Sequence, residues 1–573
     1  MDPLRAFVSR YWKIWATLGL CLLTIQSALS YTLSEVGKGN FVRWSHGQKF
    51  MLAGNPENRV GLSPRFFRNS VVLALQQWKY ASNGIFDFEY WQGTDPKHFP
   101  ASQEADGTST IHFASRSGKR PDSNVIGHTQ ILFNNTTGAI IEADIVLNDI
   151  DYSLTEDARD TITRTHQTTR SVYLNNIITH EIGHAIGLSH SSSINSSMLY
   201  VEFPEQFKLG CDDIVGAKHL YPSPSDRTGK LEGIIHRPEG GPLAGAVVTA
   251  ISSKRGIPIA SVHTNADGRF IFGALEPGPY SLMVDSYFGT AASIPRHLQP
   301  RQRLICSSEN FPKNFVTESD QHTLKRFEVR ERMIRDIGVH SVTCNSIIST
   351  GSSFQQDVSA PFVDRADAGM LKTYSFLANG PFRVTAIGYL LLSPVRVELS
   401  LMDASGATLT PRRNDTLYRS KVSDFRVEDN SVSATAFGRV TVIARVYPID
   451  ESAFPRPSVK PGTEPLFMMH FHNEHEARNG KFIPLNARCS TNQVFPEYRS
   501  PPGIPIRNAT TTTLSDHVGF CGTANASTLH GRKSTPATSN RSDFGKIIGW
   551  MIPFLTAFVC RLYLKFRHAK IRE

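Results

Sequence analysis

The segment from Thr179 to Ser191 reads THEIGHAIGLSHS and constrains the fold more than any other part of this chain. His180 and His184 are four residues apart, so on a helix their side chains lie on one face, one turn apart. Gly187 can adopt a positive φ, which allows the helix to end and the chain to turn sharply. His190 then returns from the other side. The segment therefore predicts a helix and a turn that bring three imidazoles together.

Three convergent histidines are the ligand set of a tetrahedral zinc ion whose fourth position stays open, which is typical of a catalytic site. Glu181 stands beside the first histidine and can take a proton from water at the metal, then deliver it to a leaving amine. We therefore expect one Zn²⁺ ion, with His180, His184 and His190 as ligands and Glu181 as general base. The alternatives are a helix with ordinary histidines and a zinc site without turnover.

The residues around this segment, 40–222, have the pattern of one mixed α/β unit. Apolar spacing predicts helices at 66–80, 170–187 and 212–220, the last with Asp212 and Asp213 at its start. Strand-like runs occupy residues 85–91, 109–114 and 140–147.

This unit resembles the metzincin clan of zinc endopeptidases and, within it, the matrixins. Ser191 directly follows the third histidine, Met198 stands where the family's Met-turn closes beneath the metal, and GCDDIVGAKHLYP is similar to the matrixin terminal helix. The resemblance implies an α/β (α+β) catalytic domain that cleaves protein or peptide substrates. It also implies an edge strand, expected at Ala143–Leu147, that pairs with extended substrate.

The resemblance also has departures. His128 falls near one ligand of the structural zinc site of animal matrixins, but the segment does not supply the remaining ligands, and no motif supports a Ca²⁺ site. Tyr200 lies two residues after Met198, as in astacins and serralysins, and either stabilises the oxyanion or lines the substrate pocket.

Two strand-rich regions follow, and we expect each to be a β-sandwich, at 228–345 and 355–480. The first resembles the carboxypeptidase regulatory-like domain and includes an insertion; the resemblance rests on Gly233, Gly241, Pro242, Gly245, Ala246, Thr264, Asp267, Gly268, Gly278 and Tyr280. Residues 485–545 contain two cysteines and a Ser/Thr-rich stretch that is typical of a stalk.

Both ends of the chain have the pattern of targeting segments. Residues 1–30 combine basic residues, an apolar run and a small-residue cleavage site, which predicts a signal peptide; an uncleaved anchor is the alternative. Residues 547–564 predict a transmembrane anchor and 565–573 a basic cytoplasmic tail. The alternative is a buried or interfacial helix. We therefore expect a secreted or cell-surface protein with its body outside.

The net charge of +10 at first suggests a nucleic-acid partner. Seven of these charges lie in residues 1–30 and 546–573, and the rest of the chain has no basic stripe. A nucleic-acid partner is therefore not expected.

Five of the seven cysteines lie between the two end segments. Their order suggests the pairs Cys306–Cys344 and Cys489–Cys521 and leaves Cys211 over, although order alone does not fix the pairing. Cys211 is then either a buried core cysteine or an inhibitory group directed at the zinc.

Taken together, these features predict an exported zinc metalloendopeptidase that is tethered to a membrane. The rival hypothesis is a surface adhesion or binding protein whose metalloprotease-like head is silent. The intact glutamate of the HExxH segment, Glu181, favours the enzyme.

Overall fold

A computed structural model gives the fold of the chain and places most of residues 40–473. The residues it describes are 33, 40–45, 49–54, 62–92, 109–117, 121, 125–158, 170–194, 196–199, 202, 205–286, 311–319, 323–344, 353–355, 361–365, 369–391, 393, 395–411, 413–422, 425–449 and 465–473. The chain is a mixed α/β, multidomain protein in which most elements are strands.

Within the described residues, the first domain consists of four helices, a five-stranded sheet and a separate pair of strands. The helices are α1 (Pro64–Ala81), α2 (Ala114–Ser117), α3 (Leu174–Ala185) and α4 (Cys211–Leu220). The strands are β1 (Lys49–Gly54), β2 (Asp87–Gln92), β3 (Ser109–Phe113), β4 (Gly127–Phe133) and β5 (Ile140–Leu147), and a separate pair joins β6 (Ser153–Thr155) to β7 (Ser171–Tyr173).

The strand order in this sheet is β2-β1-β3-β5-β4. The first four strands are parallel, and β4 runs antiparallel to β5. The expected edge strand at Ala143–Leu147 is therefore wrong, because that segment is part of β5, which lies between β3 and β4. The edge strand is β4, whose polar residues His128, Thr129 and Gln130 gave no apolar run to detect.

The expected helix at 170–187 also needs correction at its start. Residues 171–173 form β7, which pairs with β6, and α3 begins at Leu174. Val172 is fully buried, and β-branched residues favour this extended conformation.

Three side chains hold α3 in place. The indole N–H of Trp78 in α1 donates to the carbonyl oxygen of Thr179 at 3.0 Å. Trp44 Nε1 donates to the oxygen of Ala185 at 3.0 Å, and the Tyr221 hydroxyl donates to Ile186 at 2.6 Å. The last two bonds satisfy carbonyl groups that the end of a helix otherwise leaves without partners.

In the part of the second domain that the structure describes, the strands form two sheets. One has the order β10-β9-β12-β13 with β14 also paired to β12, and the other has the order β11-β8-β15. Its strands are β8 (Gly229–His236), β9 (Val247–Ser252), β10 (Ile257–His263), β11 (Arg269–Leu275), β12 (Gly278–Asp285), β13 (Asn314–Phe315), β14 (Phe327–Val329) and β15 (Ile334–Ser341). Residues 287–310 of the expected insertion lie outside the described residues.

The third region, expected as a second β-sandwich, forms one seven-stranded sheet in its described residues. The order is β17-β22-β18-β21-β19, with β16 paired to β18 and β20 to β21. Its strands are β16 (Ser353–Gln355), β17 (Phe362–Arg365), β18 (Leu371–Ile387), β19 (Val395–Met402), β20 (Arg413–Val422), β21 (Phe425–Pro448) and β22 (Leu466–Asn473), with a 3-10 turn at Tyr389–Leu391.

The two long strands of this sheet bend, so that its halves face each other. Six residues of a straight strand span roughly 20 Å, yet the ring centroids of Phe376 and Phe382 in β18 are 5.0 Å apart. Gly380 in β18 and Gly438 in β21 have φ of +113° and +99°. A layered packing thus arises from one folded sheet rather than from two separate sheets.

The expectation that Cys211 is unpaired is wrong. Cys211 and Cys344 are each disulfide-bonded, while Cys306, Cys489 and Cys521 lie outside the described residues. Disulfides form between cysteines whose Cα atoms come within about 7 Å, which order along the chain does not reveal. The pairs Cys306–Cys344 and Cys489–Cys521 remain predictions.

The expected signal peptide (1–30), stalk (485–545), anchor (547–564) and tail (565–573) all lie outside the described residues. Within the described part of the chain, no helix is long and apolar enough to cross a membrane. The predicted domain limits remain predictions as well.

The bend at Gly438 leads to a stability prediction. A Cβ atom there would meet no atom within 4 Å, so Gly438→Ala changes only the backbone preference. A positive φ costs an L-residue about 1–2 kcal/mol, so amides of β18 and β21 should exchange hydrogen roughly 5- to 30-fold faster. The control is Asn379→Ala, an exposed neighbour in β18. Equal exchange in both variants would contradict the prediction.

Candidate metal centre

The three histidines predicted as ligands lie together at the end of α3. One ring nitrogen from each of His180, His184 and His190 lies within 4.8 Å of the others, and among the described residues this is the one group of at least three potential metal ligands. Gly187 has φ of +105°, as the turn requires. A Cβ atom there would collide with the carbonyl oxygen of Val42, so two constraints fix this residue as glycine.

Hydrogen bonds fix the protonation of two rings. Nδ1 of His180 lies 2.7 Å from the oxygen of Ser197, and Nδ1 of His184 lies 2.8 Å from that of Leu188. A carbonyl oxygen only accepts, so each Nδ1 must carry the hydrogen. In the neutral ring Nε2 then presents a bare lone pair.

Burial keeps these rings neutral. It lowers the pKa of His180 to about 4 and, with the coulombic effect of His180, that of His190 to about 3. It also lowers the pKa of His184 well below its usual range, with added effects from both neighbouring histidines. Neutral imidazole is the form that binds a metal.

The geometry therefore places two bare nitrogen atoms face to face. Nε2 of His180 and Nε2 of His184 are 3.1 Å apart. Two lone pairs at this distance repel each other unless a cation lies between them. Tetrahedral bonds of about 2.0–2.1 Å to zinc would separate the two nitrogens by roughly 3.3 Å. The residues present thus fit a zinc ion.

Glu181 lies against the edge strand β4. Its Oε2 accepts a hydrogen bond of 2.6 Å from the Thr129 hydroxyl, and a Cβ atom at Gly127 would collide with its carboxylate. Burial raises the pKa of Glu181 to about 7, and the hydrogen bond from Thr129 opposes that rise. A carboxyl group with this pKa can accept and return a proton near neutral pH. Thr129 is not recognisable from the sequence, because nothing in the pattern links residue 129 to residue 181.

Met198 lies beside α3, as the Met-turn resemblance implies. It is buried, and a Cβ atom at Gly183 would collide with its Sδ. Its carbonyl oxygen accepts a 2.8 Å hydrogen bond from the N–H of Ser191, next to the third histidine. The turn that contains Met198 and the loop that contains His190 are thus directly linked.

The turn itself is held by two residues that sequence reasoning did not assign to the site. The carboxylate of Asp213 accepts hydrogen bonds from the N–H groups of Ser197 (2.7 Å), Met198 (3.3 Å) and Gly210 (2.6 Å). Gln206 Nε2 donates to the oxygen of Ser197 at 3.0 Å. The sequence placed Asp213 only at a helix start, and no spacing rule pointed to Gln206.

Two further residues that the sequence singled out are Tyr200 and His128. Tyr200 lies outside the described residues, so its role stays a prediction. His128 lies on β4, and its charge contributes to lowering the pKa of His184. It belongs to no second group of metal ligands among the described residues.

Comparison with known families agrees with this site. Residues 64–222 match the matrixin family (Peptidase_M10), and residues 230–303 match the carboxypeptidase regulatory-like domain. The chain therefore contains a matrixin domain followed by a carboxypeptidase regulatory-like domain. The matrixin match supports a metallopeptidase in general, and this family typically uses zinc.

Similarity to solved structures is weak. The 5-hydroxyisourate hydrolase of Klebsiella pneumoniae is 20% identical, with 20% of this chain and 87% of that chain covered and a TM-score of 0.12. BcpA, the major pilin subunit of Bacillus cereus, is 12% identical, with 43% and 65% covered and a TM-score of 0.12. These TM-scores are too low to carry any argument. No curated protein matches the chain significantly.

The contact between Gly183 and Met198 leads to a prediction. Gly183→Ala should destabilise the domain by about 1–3 kcal/mol, because its Cβ would collide with Met198 and with Trp78. Chemical denaturation followed by tryptophan fluorescence measures the loss. In the double variant Gly183→Ala/Met198→Ala, the loss of stability should be smaller than the sum of the losses in the two single variants. The reason is that the Met198 sulfur atom, with which the new Cβ would collide, is then absent. Simple additivity would show that this contact is not the cause.

Proposed function

We propose that this chain is an exported zinc endopeptidase that hydrolyses peptide bonds of extracellular proteins. The observation that carries the proposal is the pair of bare Nε2 atoms, 3.1 Å apart, on neutral His180 and His184. The matrixin match over 64–222 supports the same class. Export and membrane tethering rest on the sequence of the two ends.

In this proposal, His180, His184 and His190 hold the zinc ion and Glu181 moves the proton. When bound, zinc acts as a Lewis acid that lowers the pKa of water and polarises a carbonyl group. Glu181 takes a proton from the attacking water and delivers it to the leaving amine. Thr129 holds the carboxylate in place by its hydrogen bond to Oε2.

The substrate would lie along the outer edge of β4. Within the described residues, β4 pairs only with β5, so its other edge can add an extended peptide strand. Gly127 and Thr129, which contact Glu181, are on this strand. A peptide bond paired with this part of β4 would thus lie next to the general base.

The second candidate function is surface adhesion by a protein whose metalloprotease-like domain has no catalytic activity. Two strand-rich regions that follow the metal centre suggest it. The enzyme is favoured because the general base Glu181 is present next to the three histidine ligands. A binding protein has no need for a carboxylate that is held in place by Thr129 next to the three histidines.

Proteolysis tests the proposal directly. The purified chain should degrade denatured casein, lose this activity with a zinc chelator and regain it with zinc. Glu181→Ala should bind zinc but cleave at least 100-fold more slowly, since general-base catalysis contributes about 10²–10⁴-fold. The control is Glu205→Gln, whose exposed carboxylate pairs with Lys208.

Each outcome of the casein experiment has a clear meaning. If the unaltered chain binds zinc but does not cleave casein, the adhesion protein with an inactive metalloprotease-like domain is favoured. Failure to bind zinc at all would overturn the metal centre.

The Thr129 hydrogen bond predicts a pH effect. Because it lowers the pKa of Glu181, Thr129→Val should raise that pKa. A base must be deprotonated to act, so the acidic limb of kcat/KM should shift to higher pH. Thr129→Ser keeps the hydroxyl and should restore the original profile. A fluorogenic peptide assay over pH 5–9 measures this, and an unshifted acidic limb in Thr129→Val would contradict it.

A further inference from the structure

The last helix of the matrixin domain is shared with the carboxypeptidase regulatory-like domain. Nine of the ten residues of α4 are buried. On one side the ring of His219 lies directly on Gly273 of β11, where a Cβ atom would collide with it. The helix is thus an internal layer between two domains rather than a surface element.

One buried carboxylate joins the second domain to the loop of the third histidine. Oδ1 of Asp212 accepts a hydrogen bond of 2.7 Å from the backbone N–H of Ser261 in β10. Its Oδ2 accepts a bond of 2.6 Å from the hydroxyl of Ser191, the residue after His190. Asp212 has no exposed surface, so water cannot replace either bond.

A second contact joins the same two segments. The Ser192 hydroxyl lies 3.3 Å from Nε2 of His263, also in β10, and both side chains are buried. Within the described residues, β10 lies at the end of its sheet. Its outer edge therefore faces the metal-site loop, and Asp212 accepts from an N–H group on that edge.

These contacts leave the loop little freedom. Residues 190–193 are bound on one side by the turn at Met198, through the N–H of Ser191. On the other side they are bound by β10, through Asp212 and His263. The orientation of His190 thus depends on a domain that supplies no ligand.

We propose that the carboxypeptidase regulatory-like domain is a structural part of the metal centre, with Asp212 and His263 as positioning residues for the loop that carries His190. This inference rests on the proposed function, because it concerns the same zinc site. It assigns the second domain a role in metal affinity and predicts that changes in β10 alter a site in the preceding domain.

The test measures zinc affinity of the full chain by competition with a chromogenic chelator, together with the visible absorption bands of the Co²⁺-substituted protein. Asp212→Ala should weaken zinc binding about 10- to 100-fold and change the cobalt bands. Asp212→Asn keeps an oxygen that can accept from Ser261 and should restore part of the affinity. His263→Ala removes one hydrogen-bond contact and should weaken binding about 2- to 10-fold.

The matched control is Asp429→Ala, which removes another fully buried carboxylate. Asp429 accepts hydrogen bonds from the N–H groups of Gly388, Tyr389 and Leu390 in the bent sheet. This variant should lose stability but keep its zinc affinity within twofold and its cobalt bands unchanged.

The outcomes separate the two proposals. If the unaltered chain binds zinc while folded Asp212→Ala and His263→Ala bind it equally well with unchanged cobalt bands, the positioning role is overturned and the proposed function stands. If the unaltered chain binds no zinc, the proposed function fails and this inference fails with it. Should Asp212→Ala not fold, His263→Ala decides alone.

Discussion

Two backbone carbonyl groups determine what the histidine cluster can do. The oxygens of Ser197 and Leu188 accept from Nδ1 of His180 and His184, so each Nε2 presents a lone pair to the other ring. Without these acceptors either ring could turn its N–H group toward its neighbour and form an ordinary hydrogen bond. With them, the cluster is a site for a cation.

Of these two carbonyl groups, that of Ser197 is held in place by more hydrogen bonds. Asp213 in α4 holds the N–H groups of the turn, and Gln206 donates to the Ser197 oxygen itself. The carboxylate of Asp213 is buried and accepts three backbone N–H bonds. Its removal would take the acceptor from the N–H groups of Ser197 and Gly210, while the N–H of Met198 would keep the hydroxyl oxygen of Ser196. A helix that begins 20 residues after the segment Thr179–Ser191 thus controls the orientation of the first ligand.

The sequence predicted what depends on local patterns. The histidine spacing placed three ligands together, and apolar periodicity located α1, β3 and β5 to within two residues. It did not predict relations set by the tertiary fold. The edge position of β4, the pairing of Cys211 and the bend at Gly438 depend on which segments meet in space. Thr129 was missed for the same reason, since only the antiparallel return of β4 brings it to Glu181.

The electrostatics of the site follow from burial. Three neutral histidines and a carboxyl group with a pKa raised to about 7 lie together at this site. Burial disfavours every charged form, so the pocket alone tends to hold uncharged groups. A divalent cation on the three nitrogens reverses this preference for Glu181, because a nearby positive charge stabilises its carboxylate. Thr129 acts in the same direction, and its hydroxyl keeps that carboxylate on the side of β4. The base therefore becomes most effective when the metal is bound, which couples proton transfer to the state in which a substrate carbonyl could be polarised.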